Sequence, residues 1–467
     1  MSEEAARQRP GAAGPQAPDT GAGHALVIGA GMAGLAIAKA LAERFGRVTV
    51  LDRDRIPPDV AHRKGVPQDR HLHLLLPSGA AALESLFPAL GDELVDDGAA
   101  TGETDRIRMC LNGHRLAPAR TGHRALFASR PFVEAHVRRR VREVPTVTLR
   151  EGCRVVDLAL DDASARVVGV HIGTPGGDDP ELLRAELVVD CSGRRSPVPD
   201  WLAAHGYAEP EVGELPIELR YVTRRFRLPE GALDGDQHVL VGPMADGPRG
   251  AAMTHVEDGS WILTLFTMAG ERVPTDVAGF EQFARDLPIG DIGEAIREGE
   301  ALDEAANYRF PANRRRYYER LDAFPAGLLV AGDAVCSFNP IYGQGMSVAS
   351  IEATSLRRLL RSGDVPTPRT WFTAIAPVVD TAWDQAIGAD LAVRAVEGRR
   401  GVPARAINRY LASLHAAAAH EPELAARFVR VAGLVDPPSR LLHPTTVARV
   451  LRARVLRSRL RRPGPTR

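Results

Sequence analysis

Apolar and polar residues alternate along this chain in three rhythms. The first is short and solid. Four apolar residues, Ala25 to Ile28, run without a polar break into a glycine turn, as a strand buried on both faces does. Apolar positions at helical spacing follow through MAGLAIAKAL, and a second solid run, Val48 to Leu51, ends on Asp52. The same figure of a strand closing on an acid returns in AELVVD, which stops at Asp190, and in LLVAGD, which stops at Asp333. From about 215 to 268 the rhythm shifts to short β-rich segments, ELRYVTRRFRL, HVLVGP and AAMTHVEDGSWILTLFTM, with Asp258-Gly259 as a hairpin signal. Beyond 365 the chain is rich in Ala and Arg at helical period, interrupted near DPPSR, and no internal repeat stands out.

These rhythms predict an α/β protein: a Rossmann-like nucleotide-binding domain of the GxGxxG type, an inserted antiparallel β-sheet, and a helical C-terminal region. The expected divisions are a disordered tail at 1–22, a discontinuous cofactor domain at 23–95, 120–205 and 300–365, a covering sheet at 96–119 and 206–299, and helices at 366–467.

Composition narrows the class without changing the fold. The 467 residues carry 59 Lys plus Arg against 59 Asp plus Glu, so nothing general draws the chain to nucleic acid. One local exception is RVLRARVLRSRLRR, Arg449 to Arg462, which reads as a basic amphipathic helix, either solvated and laid against the main body or suited to an acidic partner or a membrane surface. The four cysteines, Cys110, Cys153, Cys191 and Cys336, are far apart and form no C-x-x-C pair, which fits a reduced, cytoplasmic setting without a zinc site. No segment has the length of uninterrupted apolar residues that a signal peptide or membrane span needs, and stable membrane insertion is not expected.

The glycine turn carries the first chemistry. In Gly29-x-Gly31-x-x-Gly34, with Ala30, Met32 and Ala33 between, the glycines suit a tight turn, a close approach to a diphosphate, and tight packing of helix on strand. Free N–H groups at the helix start attract the anion. Asp52, followed by Arg53, is placed for the adenosine ribose hydroxyls, and an acid there favours FAD or NAD over a 2′-phosphorylated cofactor. LLVAGDA then decides for flavin. A parallel strand in the same sheet would bring Asp333 to a ribityl hydroxyl, which NAD lacks. The turn at Pro340, with Gly343, Gly345 and Met346 leading into a helix, would cradle a flat ring at a positive helix end.

The order G-x-G-x-x-G, D-x-x-G-x-x-S (Asp190, Gly193, Ser196) and G-D-x(6)-P-x-x-G resembles single-component FAD-dependent monooxygenases of the aromatic-hydroxylase type, from about residue 24 to 360. HRKGVPQDRHLHLL and ANRRRYYERLDAFPAGLLVAGDAVCSFNPIYGQGM look more narrowly like flavin epoxidases of polyether-antibiotic biosynthesis and squalene epoxidase. The resemblance implies that Arg130, in SRPFVEAHV, reaches the cofactor from a helix and that Arg63 stands near the ring. It also implies the activity: NADPH or NADH, or a separate flavin reductase, reduces FAD, and a flavin C4a-hydroperoxide epoxidises or hydroxylates an apolar alkene of polyketide or terpenoid type, free or presented by a carrier protein. No catalytic side chain is singled out, because epoxidation by such a species needs no protein base.

Other features read more plainly. His71-x-His73 lacks further ligands and reads as two structural histidines, not a metal pair. Cys191 and Cys336 read as small buried hydrophobes, and Tyr317 and Tyr318 as loop anchors. Lys64 invites comparison with halogenases, but their W-x-W-x-I-P signature is missing. The rival readings are a redox-silent FAD-binding cyclase and an alkene reductase.

Overall fold

The computed structural model describes residues 23–63, 65–161, 163, 165–173 and 179–460, without side chains for 67 and 456–460. The tail at 1–22, Lys64, and the last two arginines of the basic run lie outside the described residues. In chain order, β1 (His24–Ile28), α1 (Met32–Leu41) and β2 (Arg47–Leu51) come first, then β3 (Ile107–Leu111), α2 (Arg130–Arg142), β4 (Val147–Arg150) and β5 (Leu187–Asp190). Next are β6 (Val212–Arg227), β7 (His238–Val241), β8 (Arg249–His255), β9 (Trp261–Thr267) and β10 (Ala306–Arg316). β11 (Leu328–Val330), β12 (Cys336–Ser337), α3 (Gln344–Arg361) and α4 (Pro368–Asp390) complete the part that builds the site. The helices α5 (Val402–Ala418), α6 (Pro422–Ala432) and α7 (Pro444–Leu460) follow.

The solid apolar runs form one parallel sheet in the order β11-β5-β1-β2-β4. They lack polar breaks because both faces are covered: Leu26, Val27, Val48, Val188 and Leu329 are fully buried. The register sets Ile28 beside both Leu51 and Asp190, and Asp190 beside Val330. Four strands therefore end in one row, and the chain leaves them as Gly29, Asp52, Cys191 and Ala331 along a single edge. Ligands of parallel sheets bind at that edge.

The second sheet is larger and runs β12-β10-β6-β9-β8-β7-β3. It is antiparallel as expected, except where β7 runs parallel to β3. The hairpin at Asp258-Gly259 joins β8 to β9, with Gly259 at φ +77° and the Asp258 carboxylate accepting from Ser260 N–H at 3.1 Å. Period-two alternation splits the sheet into two faces. Val222, Leu263 and Met253 pack outward under Phe280, Phe283 and Ile292, while Leu219, Tyr221, Phe266 and Phe310 face inward with Ile341.

Three expected boundaries move. The strand β10 pairs with β6 from Val212↔Arg316 to Thr223↔Ala306, so residues 306–316 belong to the roof and not to the cofactor domain. Its ANYRFPANRRR sequence hides this, because the arginines break the alternation: Arg315 is buried in ion pairs with Asp380 and Glu319. Within 96–119, Ala100–Glu103 pairs instead with Arg124–Phe127 in a separate two-stranded sheet. And α4 is no appendage of a C-terminal region, since Trp371, Phe372, Ile375 and Val379 sit in the same core as the parallel sheet and Trp371 Nε1 donates to Val330 O at 2.8 Å.

Candidate functional site

Each glycine of the first turn meets a different constraint. Gly29 adopts φ +100°, and a Cβ there would stand 2.6 Å from Cys191 O. A Cβ on Gly34 would meet Gly29 O at 1.8 Å, so the helix approaches the strand as closely as backbone allows. At Gly31, the N-cap of α1, a Cβ would find nothing within 4 Å. The space in front of the helix start is open, as an arriving diphosphate requires.

The far segment arrives beside this turn. A methyl on Gly332 would lie 2.9 Å from Ala33 Cβ, and one on Gly345 would lie 3.8 Å from Asp333 Oδ1. The Asp333 carboxylate takes no hydrogen bond from any described residue. Burial raises its pKa, while Arg130 and Arg194 pull it down. After it, Pro340–Tyr342 make one tight turn, and Gly343, at φ +67°, starts α3 with its first N–H groups free. An elongated ligand with a diphosphate at Gly31, a hydroxylated chain at Asp333 and a flat ring by Gly343 to Met346 fits this edge.

The model of the family described as "FAD binding domain" matches residues 23–362. The chain belongs to this family. Protein Rv3254 of Mycobacterium tuberculosis (strain ATCC 25618 / H37Rv) is 37% identical over 348 residues, 73% of either chain. Squalene epoxidase 1 of Arabidopsis thaliana is 24% identical over 72% of this chain and 59% of its own length. Among solved structures, the flavin-dependent brominase Bmp2 superposes with a TM-score of 0.64 at 14% identity, covering 94% of this chain and all of that one, which establishes likeness of fold.

Within this FAD-binding protein, one expected residue stands elsewhere than the sequence suggests, and others are already engaged by the chain. Arg63 is not at the ring end. Its guanidinium donates to Ala30 O (2.9 Å), to Glu134 Oε1 (2.7 Å) and to Asp52 Oδ2 (2.8 Å), which fixes it behind the glycine turn. Asp52 is correspondingly engaged: Oδ2 also accepts from Ala30 N–H at 2.7 Å and Oδ1 from Asp54 N–H at 2.8 Å. It shapes the turn first, and only Oδ1 keeps acceptor capacity for a ribose. Arg53 is exposed. Asp190 is fully buried and accepts from Ser192 N–H (3.0 Å) and Ser196 Oγ (2.6 Å), so it ties its own loop together. Glu134, which the sequence did not flag, sits between Arg63 and Arg130 (Nε to Oε2 3.6 Å), and Arg130 donates to His73 Nε2 at 3.3 Å. A chain of charges thus runs from Asp52 to the segment 71–76.

Two more buried acids brace the late loop. Asp390, at the end of α4 and 0% exposed, accepts from Asn313 Nδ2 (2.6 Å), Asn339 Nδ2 (2.8 Å) and Tyr342 Oη (2.7 Å). Burial lifts its pKa to about 6 against those three bonds. On α3, Glu352 Oε2 accepts from Gly332 N–H at 2.6 Å while Oε1 is buried without a partner, and burial drives its pKa to about 8. Glu352 is thus a neutral acid at pH 7. In the pH range between its ordinary 4.5 and about 8 the native state keeps a proton that the unfolded chain gives up, so stability falls as pH rises through that window. Glu352→Gln keeps an acceptor for Gly332 and cannot ionise. Urea melts should show it gaining on the native protein from pH 5 to pH 8.5, by up to ~4 kcal/mol; a pH-independent difference would refute the assignment.

The histidines are organised by the roof. His71 Nδ1 meets Thr223 Oγ1 at 2.8 Å, and His73 Nδ1 donates to His71 O at 3.0 Å. Burial takes their pKa values down to about 4 and about 3, so both are neutral. Cys191 and Cys336 are buried, and desolvation raises both thiols well above their ordinary range. Tyr318 stacks on Phe372 at 5.3 Å, and Tyr317 lies under Arg315 and Arg320. Among the described residues no helix is long and apolar enough to cross a membrane.

Proposed function

We propose that the chain is an FAD-dependent monooxygenase that places one atom of O2 into an alkene or activated ring of a largely apolar molecule of secondary metabolism. Bound and reduced by NADPH, NADH or a partner reductase, FAD supplies the oxygen activation. The observation that carries the reading is the shared edge: the open space at Gly31 and the unpaired Asp333 carboxylate lie along one row of strand ends, under a roof whose inner face holds Tyr221, Phe266 and Phe310. The likeness to squalene epoxidase 1 favours epoxidation.

The chain's own part is to hold and to exclude. Asp333 would accept from the ribityl chain, α1 would meet the diphosphate with its free N–H groups, and the roof would keep water from the reacting face. Asp333→Ala should therefore raise the Kd for FAD by roughly 10- to 100-fold, the worth of a hydrogen bond to a charged group, in a fluorescence titration. Unchanged affinity would remove Asp333 from the site. For the reaction, purified holoprotein is given NADPH and candidate polyenes under labelled O2. One labelled oxygen per product and matching NADPH oxidation are expected. A product with no added oxygen, formed without reductant, would point to a cyclase, and one heavier by two hydrogens to a reductase.

A further inference from the structure

The inner face of the roof holds three polar atoms that the chain itself does not use. Tyr221 on β6 and Tyr308 on β10 are register partners, and their rings lie 5.3 Å apart. His71 reaches up from the segment that passes beneath them, its ring 4.6 Å from Tyr221 in an edge-on contact and 5.6 Å from Tyr308. Neither phenol oxygen nor His71 Nε2 has a hydrogen bond to any described residue. None belongs to the buried atoms that lack a partner either, so each still touches open space, although Tyr221 and His71 are each only 3% exposed.

The hydrogen bonds also fix which proton His71 presents. Leu72 N–H donates to Thr264 Oγ1 at 3.2 Å, and Thr264 Oγ1 lies 2.7 Å from Thr223 Oγ1. Running the chain as Leu72 to Thr264 to Thr223 to His71 Nδ1 gives every hydroxyl proton an acceptor; run the other way, the Thr264 proton has none among the described residues. Nδ1 is therefore an acceptor, and Nε2 carries the hydrogen. His71 thus stands as a donor beside two phenols.

The geometry points to a recognition site for an oxygen acceptor: we infer that the substrate of the proposed monooxygenase carries a hydroxyl, ether or keto oxygen, and that His71 Nε2–H, Tyr221 Oη and Tyr308 Oη bind it. This rests on the monooxygenase reading for the word substrate, but not for the binding itself. It also adds an oxygen acceptor to the apolar alkene expected from the sequence. Leaving three polar groups facing a hydrocarbon would weaken binding, whereas an oxygen acceptor relieves them.

The test uses two probes of one carbon skeleton, farnesol and farnesene, titrated into FAD-loaded protein and read from the perturbation of the flavin's visible bands. The native protein should bind farnesol at least about tenfold more tightly than farnesene. His71→Phe, Tyr221→Phe and Tyr308→Phe should each reduce that preference by about fivefold, one neutral hydrogen bond, through the farnesol Kd alone. Equal affinity for the two probes, no perturbation by either with the flavin intact, or a preference untouched in all three variants would overturn the inference. A preference that persists in a protein incorporating no labelled oxygen would instead sink the monooxygenase reading and leave the recognition site standing.

Discussion

Valine at Gly34 should leave a chain that cannot close its first βαβ unit, whereas valine at Gly31 should leave the fold intact and the protein colourless. The two positions sit three residues apart in one turn, yet what surrounds them differs. At Gly34 an added Cβ would lie 1.8 Å from Gly29 O and 3.3 Å from Val27 Cγ1, atoms of the strand against which α1 packs. Backbone cannot yield by that much, so α1 must lift off a core that includes Leu35, Ile37 and Ala38. Overpacking of this kind costs roughly 1–3 kcal/mol where side chains can adjust, and here more, because they cannot. Gly31 has φ −79° and ψ −177°, an extended backbone that valine adopts freely, and, its immediate neighbours aside, no atom of the described residues within 4 Å of the new Cβ. Its only loss is the space in front of the helix. Melting curves should drop sharply for Gly34→Val and hold for Gly31→Val, while visible absorbance of the purified protein should vanish in both. A yellow Gly31→Val protein would mean that the diphosphate lies elsewhere.

Asp390→Ala should produce the second large effect, from a position distant in sequence from any cofactor motif. The carboxylate collects three donors from two segments, and its removal leaves Asn313, Asn339 and Tyr342 facing an empty, buried place. Breaking such a group costs on the order of 3–5 kcal/mol. Asn339 also sets the turn by accepting from Ile341 N–H at 3.2 Å, so the loss reaches the residues that would hold the ring. A lower melting temperature is expected together with weaker FAD binding, measured by titration of apoprotein. If stability falls and FAD affinity stays as it was, Asp390 braces the roof and not the loop.

These cases mark what the sequence could show. The strand-turn-helix unit at 24–51 and the hairpin at Asp258-Gly259 were legible because their causes are local: solid apolar runs, glycines at fixed offsets, an Asp-Gly pair. The partnership of Asp333 with the first turn was legible too, since a parallel sheet brings its strand ends together wherever the strands lie in the chain. Asp390 carries no such sign. It is one acid in a long helix, and its partners stand 48, 51 and 77 positions away. Glu352 and Glu134 are hidden for the same reason. Arg63 misled because a buried arginine goes where carboxylates are, and Asp52 and Glu134 hold it away from the ring end.

The short strand β12 has a mechanical consequence. Cys336 and Ser337 pair with Arg315 and Arg314 of β10, so the stretch that separates Asp333 from Pro340 is itself stitched to the canopy above. Tilting the canopy would therefore carry Asp333 and the turn at Pro340 with it as one lever. The strip 71–76 is joined to the canopy through His71 and Leu72 and to α3 through Leu76, each by a contact with a single hydroxyl, of Thr223, Thr264 and Ser347 in turn.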